Sequence, residues 1–138
     1  MQRVRIKEPQ YAKQLIDFSG LKLDDDVYPT DIDALIEYKD SKYLIFEIKY
    51  KRKQIPKGQR LALQRMADDF FKAGKEAIVI ICEHNIKDTS QPVVAADCRV
   101  REIYHDAGWW KPKDKPLVGY ILQEIQDYPE LWWRKQVK

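Results

Sequence analysis

The segment Ala77–Cys82, AIVIIC, constrains the fold of this chain more than any other, because six consecutive apolar residues flanked by glutamates leave no polar face. Half-exposed strands alternate and surface helices carry a stripe, whereas a strand buried on both sides of a sheet reads as one continuous apolar run. It is the longest such run in the chain, far short of the ~20 residues that cross a bilayer. Upstream, Pro56–Ala73 places Leu63, Met66 and Phe70 at steps of three and four, with Ala62, Ala67 and Phe71 alongside and Gly74 as a stop. That spacing predicts an amphipathic helix. Gln59, four residues before Leu63, falls on its buried stripe. A further apolar strand, Tyr43–Tyr50, precedes the helix. Strand, helix, strand predicts a crossover onto one sheet, hence an α/β fold.

Ile32–Lys39 alternates with period two, placing Ile32, Ala34, Ile36 and Tyr38 on one face and Asp33, Leu35, Glu37 and Lys39 on the other. With a turn at Lys39–Lys42 it forms a hairpin with Tyr43–Tyr50, in which Glu47 and Lys49 share a face. Residues directly opposite each other in an antiparallel pair share a face, so Asp33 joins Glu47 and Lys49 only if its partner is odd-numbered. The loop must then hold an odd number of residues, or contain a bulge. A two-residue turn at Asp40-Ser41 would point Asp33 away.

The flanks are less informative. Pro9–Phe18 carries a helical stripe of Tyr11, Leu15 and Phe18 closed by Gly20, preceded by Arg3, Arg5 and Lys7 in an edge strand or basic arm. Leu21–Thr30 is a loop whose Asp24-Asp25-Asp26 lacks EF-hand spacing and reads as a solvated acidic turn. Pro92–Ala96 and Cys98–Tyr104 are expected as short strands and Gly108–Pro112 as a turn. Leu117, Ile121 and Ile125 form a helical stripe ending before Pro129. Size fits a single domain, 1–138, around one core. Two cysteines are too few for a disulfide scaffold, and no apolar leader opens the chain, so a soluble cytoplasmic protein without a membrane partner is expected. Cys82, His84, Cys98 and His105 lack zinc-knuckle spacing, and Cys82 suits the core. The Trp109-Trp110 and Trp132-Trp133 pairs read first as core-completing aromatics.

The chemistry concentrates around the hairpin. Two carboxylates on adjacent strands suit a hard cation such as magnesium, which takes one or two protein carboxylates and keeps several waters. Asp33 and Glu47, with the main-chain carbonyl of Ile48, form such a set. Lys49 would set a positive charge beside a scissile phosphate. From Lys49 to Arg65 there are seven basic residues and no acidic one: Lys49, Lys51, Arg52, Lys53, Lys57, Arg60 and Arg65. The net charge of +3 is modest, so this clustering, more than the total, points to a phosphate backbone.

Asp33 followed by Glu47-Ile48-Lys49 at the end of an apolar strand resembles the PD-(D/E)XK nuclease superfamily. TDIDALIEY and YLIFEIKYK are similar to the branch holding archaeal Holliday junction resolvases and related small phage and repair nucleases. The likeness spans about Pro29 to Cys82, a little over a third of the chain. It implies a restriction-endonuclease-like core, a central mixed sheet flanked by helices, and a magnesium-dependent endonuclease acting on DNA sooner than RNA, with manganese able to replace magnesium. It also implies that Asp33 and Glu47 bind the metal, that Lys49 is catalytic, and that Gln59 matches a glutamine near the start of the next helix. Relatives reading E-I-D before an apolar strand favour Asp33 as ligand, whereas an alignment on Asp-x-x-Ala-Leu selects Asp31. Glu8 is a poor match to the family's first-helix glutamate, and LKLDDDVYPT shows no clear strand where the family has one. A junction resolvase would act as a homodimer. The alternative is a nucleic-acid-binding or assembly protein without catalysis.

Overall fold

The computed structural model describes residues 10, 13–23 and 27–127. The chain divides into two units, 1–30 and 31–138. In the first, Lys13–Gln14 form a turn and the backbone is irregular from Leu15 to Phe18, so the helix expected over Pro9–Phe18 does not reach its far end. The Asp17 carboxylate accepts hydrogen bonds from the Ser19 N–H at 3.0 Å and its hydroxyl at 2.6 Å. Such local bonds compete with the helical ladder, and Leu15 and Ile16 stay exposed, so burial does not support a helix there. Leu23 and Val27 share an isolated bridge. Arg3–Lys7, Glu8, Asp24–Asp26 and Trp132-Trp133 lie outside the described residues.

The second unit is α/β. Its elements are β1 (Ala34–Tyr38), β2 (Lys42–Tyr50), α1 (Lys57–Lys72), β3 (Glu76–His84), a 3₁₀ turn (Ala95–Asp97), β4 (Arg99–His105), β5 (Gly108–Trp110) and α2 (Val118–Asp127). The strands form one five-stranded sheet in chain order. β2 and β3 are parallel, joined through α1, and the other neighbours are antiparallel. The sheet is mixed because only the crossover around α1 returns the chain in the same direction.

Strand alternation assigns each helix its own face of the sheet. Ile45, Ala77, Val79 and Ile81 pack with Leu63 and Ala67 of α1, flanked by Met66 and Phe70. Leu44, Phe46, Ile78, Ile80 and Cys82 pack with Val118, Ile121 and Ile125 of α2. β3 lies between the two clusters, and every residue from Ala77 to Cys82 is buried, as the continuous apolar run requires. Gly74 ends the α1 region with φ of 83°, a conformation glycine adopts without steric cost.

Two readings of the C-terminal half are corrected. Pro92–Ala96 is no strand: Pro92 to Val94 is irregular, and Ala95–Asp97 forms the 3₁₀ turn. Proline supplies no ladder N–H, and Val93 and Val94 are half exposed instead of buried by a pairing. Trp109 and Trp110 belong to a strand, paired with Tyr104 and Ile103. The turn lies one step earlier, at Asp106-Ala107, both at positive φ (52° and 62°). This is the tight hairpin geometry whose backbone twist matches the strands it joins. Gly108 follows the turn, where an added Cβ would meet the Trp110 indole at 3.3 Å.

Candidate active site

The β1–β2 hairpin decides which side chains meet. Tyr38 lies opposite Lys42, leaving the three-residue loop Lys39-Asp40-Ser41. Lys39 and Asp40 take positive φ (47° and 57°), and the Ser41 N–H donates to the Tyr38 carbonyl at 2.9 Å. The Glu37 carboxylate accepts the Asp40 N–H at 2.6 Å. A tight turn alone would set Tyr38 against Ser41; the additional residue shifts the register so that Ala34 faces Phe46. Carried one residue past the start of β1, this register sets Asp33 against Glu47, an odd-numbered partner.

Asp33 Oδ2 accepts the Ile48 N–H at 2.7 Å, so its side chain continues the ladder where β1 stops. Glu47 is 1% exposed, and its Oε1 lies 3.2 Å from Lys49 Nζ. Its Oε2 is buried without a hydrogen-bond partner. Burial, then the nearby Asp33 charge, push the Glu47 carboxyl above its usual range, partly offset by Lys49. Two carboxyl groups and one ammonium thus converge on the α1 face of β2. Ile48 turns its side chain into the opposite, α2-side core.

Gln59, 8% exposed at the start of α1, donates from Nε2 to the Asp31 carbonyl at 3.2 Å and to Asp31 Oδ1 at 3.3 Å. The two aspartates are therefore held separately: Asp33 by β2 beside Glu47, Asp31 by the helix. Gln59 reaches the lead-in to β1 and not the Glu47 carboxylate.

The basic run divides as well. Lys51, Arg52, Lys53 and Lys57 are exposed, as is Arg65. Arg60 instead makes a bidentate ion pair with Glu102, at 3.0 and 2.9 Å, and lies 3.9 Å from the Trp109 ring centroid. Trp109 Nε1–H donates to Gln64 at 3.0 Å and its ring packs on Tyr104, consistent with an aromatic completing the fold.

One residue that the sequence reading passed over organises this region. Arg101 donates from Nη1 to the carbonyls of Lys51 at 3.3 Å and Lys53 at 3.0 Å, fastening the basic loop to β4. It occupies a bulge, since Ile81 faces Glu102 while Cys82 faces Val100. The signal was present in CRVREIY, where Val100 and the next inward apolar residue, Ile103, stand three apart instead of two.

The zinc-type residues do not gather: no group of three or more His, Cys, Asp or Glu side chains suited to a metal forms among the described residues. Cys82 and Cys98 lie in the α2-side core, and burial pushes the Cys82 thiol up to about 12. His105 pairs with Glu76 at 3.1 Å. No protein-family model, curated protein or solved structure matches the chain.

Proposed function

We propose that this chain is a magnesium-dependent endonuclease of the PD-(D/E)XK kind, hydrolysing DNA phosphodiester bonds around Asp33, Glu47 and Lys49. The observation that carries the reading is Glu47, a carboxylate buried at 1% exposure with one oxygen unpartnered, next to a second carboxylate. A fold with no use for it would lose stability by keeping it, because unsatisfied buried polar groups cost about 1–3 kcal/mol and charged ones more. Asp33 and Glu47, with the Ile48 carbonyl, fit the hard-oxygen, low-ligand-count preference of magnesium, and manganese shares it. A bound magnesium ion supplies charge neutralisation at the phosphoryl oxygens and lowers the pKa of water at the site.

The remaining roles belong to the chain. Lys49 holds a positive charge at the Glu47 carboxylate, where it can stabilise negative charge developing on the phosphate. Gln59 positions Asp31 and the lead-in to β1. Lys51, Arg52, Lys53 and Lys57 are exposed next to the site and suit the DNA backbone. Hairpin, crossover helix and parallel strand around the motif support a restriction-endonuclease-like core.

The test is cleavage of linear, single-stranded, flapped and four-way DNA with magnesium, comparing wild type with Glu47→Ala and Lys49→Ala. Wild type should cut at least one substrate and each variant should lose on the order of 10²–10³-fold in rate. DNA binding without cleavage by wild type would replace this reading with that of a non-catalytic binding protein.

A further inference from the structure

Beyond Lys49, the carboxyl ends of the parallel strands β2 and β3 border a cleft of about 390 Å³. In open α/β sheets, ligands favour the crevice outside the carboxyl ends of the strands. Lys49 lies opposite Glu83 and Tyr50 opposite His84, and Glu83, His84 and Lys51 all line the cleft. Its Glu83 wall therefore stands level with Lys49 on the neighbouring strand, and Lys51 continues the lining two residues further along the chain.

Its lining is mixed in a way that suits a nucleobase. Ile86, Val93 and Val94 give one apolar side, and Val93 and Val94 remain 38% exposed, a surface the fold leaves uncovered. Asn85 and Asp97 add hydrogen-bonding groups. His84 accepts the Ile86 N–H on Nδ1 at 3.2 Å, which in the neutral ring leaves Nε2–H as a donor. Its ring meets Tyr50 edge-on at 5.5 Å, linking the cleft to the strand that carries Lys49. Lys51 and Arg99, both exposed, provide cations for one phosphate. A polyphosphate fits poorly, because the Glu83 and Asp97 carboxylates also line the cleft, and Lys115, 3.3 Å from Glu83, pairs with the first of them. The volume is at the small end of the ligand-site range, roughly 300–1,000 Å³, and cannot admit a duplex.

We infer that this cleft takes one unpaired nucleotide of the substrate next to the bond being cut, its base against Val94 and its polar edge on Asn85 and Asp97. The inference rests on the nuclease reading and narrows its substrate class. A base-paired nucleotide presents no free Watson–Crick edge and must be unstacked to enter, which costs least where the base is already single-stranded. The favoured substrates are flaps and single-stranded ends.

The experiment uses the full chain carrying Glu47→Ala, which should hold DNA without cutting it, and a flap with 2-aminopurine as its first unpaired base. A fully paired duplex containing the same base is the control. Binding should change the 2-aminopurine emission in the flap and leave the duplex signal unaltered. Adding Val94→Trp should abolish the change, and Asn85→Ala, which spares the apolar side, should weaken flap binding about 3–10-fold. In the active chain the same two substitutions should slow flap cleavage by a larger factor than any cutting of paired DNA. If both variants retain the emission change and the flap rate, the cleft has no such role. If wild type cuts nothing but the emission change appears and Val94→Trp removes it, the nuclease reading fails while the nucleotide site stands.

Discussion

Glu47 carries the largest local conflict among the site residues: burial and the Asp33 charge both oppose its ionisation, and Lys49 relieves this only in part. A carboxyl whose folded pKa is raised binds more protons folded than unfolded, so stability falls as pH rises from the usual carboxylate range through the raised value. Glu47→Gln removes the charge and gives Asp33 an amide donor. In metal-free buffer at pH 7 it should therefore raise stability by roughly 1–3 kcal/mol, several degrees in Tm. The difference should close as pH drops below the usual carboxylate range, where Glu47 is protonated in both states. Magnesium should raise the Tm of wild type and leave Glu47→Gln unmoved. Equal melting of the two proteins at pH 7 without metal would show that Glu47 is not under strain. The alternation of YLIFEIKYK made the shared face of Glu47 and Lys49 legible. The unpartnered oxygen was not legible, because it depends on how closely α1 covers that face.

At the scale of elements, the basic loop between β2 and α1 is shaped by backbone anchors more than by its own residues. Lys51, at φ of 45°, donates its N–H to the His84 carbonyl at 2.6 Å, and Arg101 holds the Lys51 and Lys53 carbonyls from β4. Arg101→Lys keeps the charge but loses the planar Nη1 group whose two fixed N–H directions reach the Lys51 and Lys53 carbonyls. We expect it to weaken DNA binding several-fold by loosening the loop while the slope of log K against log salt stays at the wild-type value. Lys53→Gln removes a cation that the proposed function assigns to the DNA backbone and should reduce that slope by about one. Titrations at several salt concentrations separate the two, and a slope change with Arg101→Lys would make Arg101 a direct phosphate ligand instead. Long periodic elements were legible from the sequence, since β2, α1, β3 and α2 each carry an apolar pattern that only one geometry satisfies. β5 was not, and the bulge in β4 left only the offset between Val100 and Ile103 as a trace. Three residues are too few to show a period, and a bulge breaks the period on which such reading relies.

For the molecule as a whole, one ion pair ties α1 to the sheet and another cluster ties β3 to its neighbouring strands, and their titration sets how the fold responds to acid. Glu102 on β4 is held below the usual carboxylate range by Arg60 of α1. Glu76 at the start of β3 is lowered by its hydrogen bond to His105 of β4 and then by Lys42 of β2. Neither tie was visible in the sequence, since Arg60 and Glu102 are 42 residues apart and read separately as a phosphate contact and a strand residue. A carboxyl with a depressed folded pKa leaves the unfolded chain binding more protons, so its stabilisation is complete above the unfolded value, near 4.3, and is lost as pH falls through the folded one. Glu47 acts in the opposite sense over a higher window. The metal-free protein should consequently show a Tm that climbs as pH rises through and just below the usual carboxylate range and then flattens or declines toward neutrality. Glu102→Gln should lower the plateau and flatten the acid limb, because the depressed group is gone and Arg60 is left without its bidentate partner. Glu47→Gln should spare the acid limb and remove the decline above it. Thermal melts of the three proteins across that range test the assignment directly. An acid limb that survives Glu102→Gln at full steepness would mean that the Arg60 ion pair contributes nothing to it.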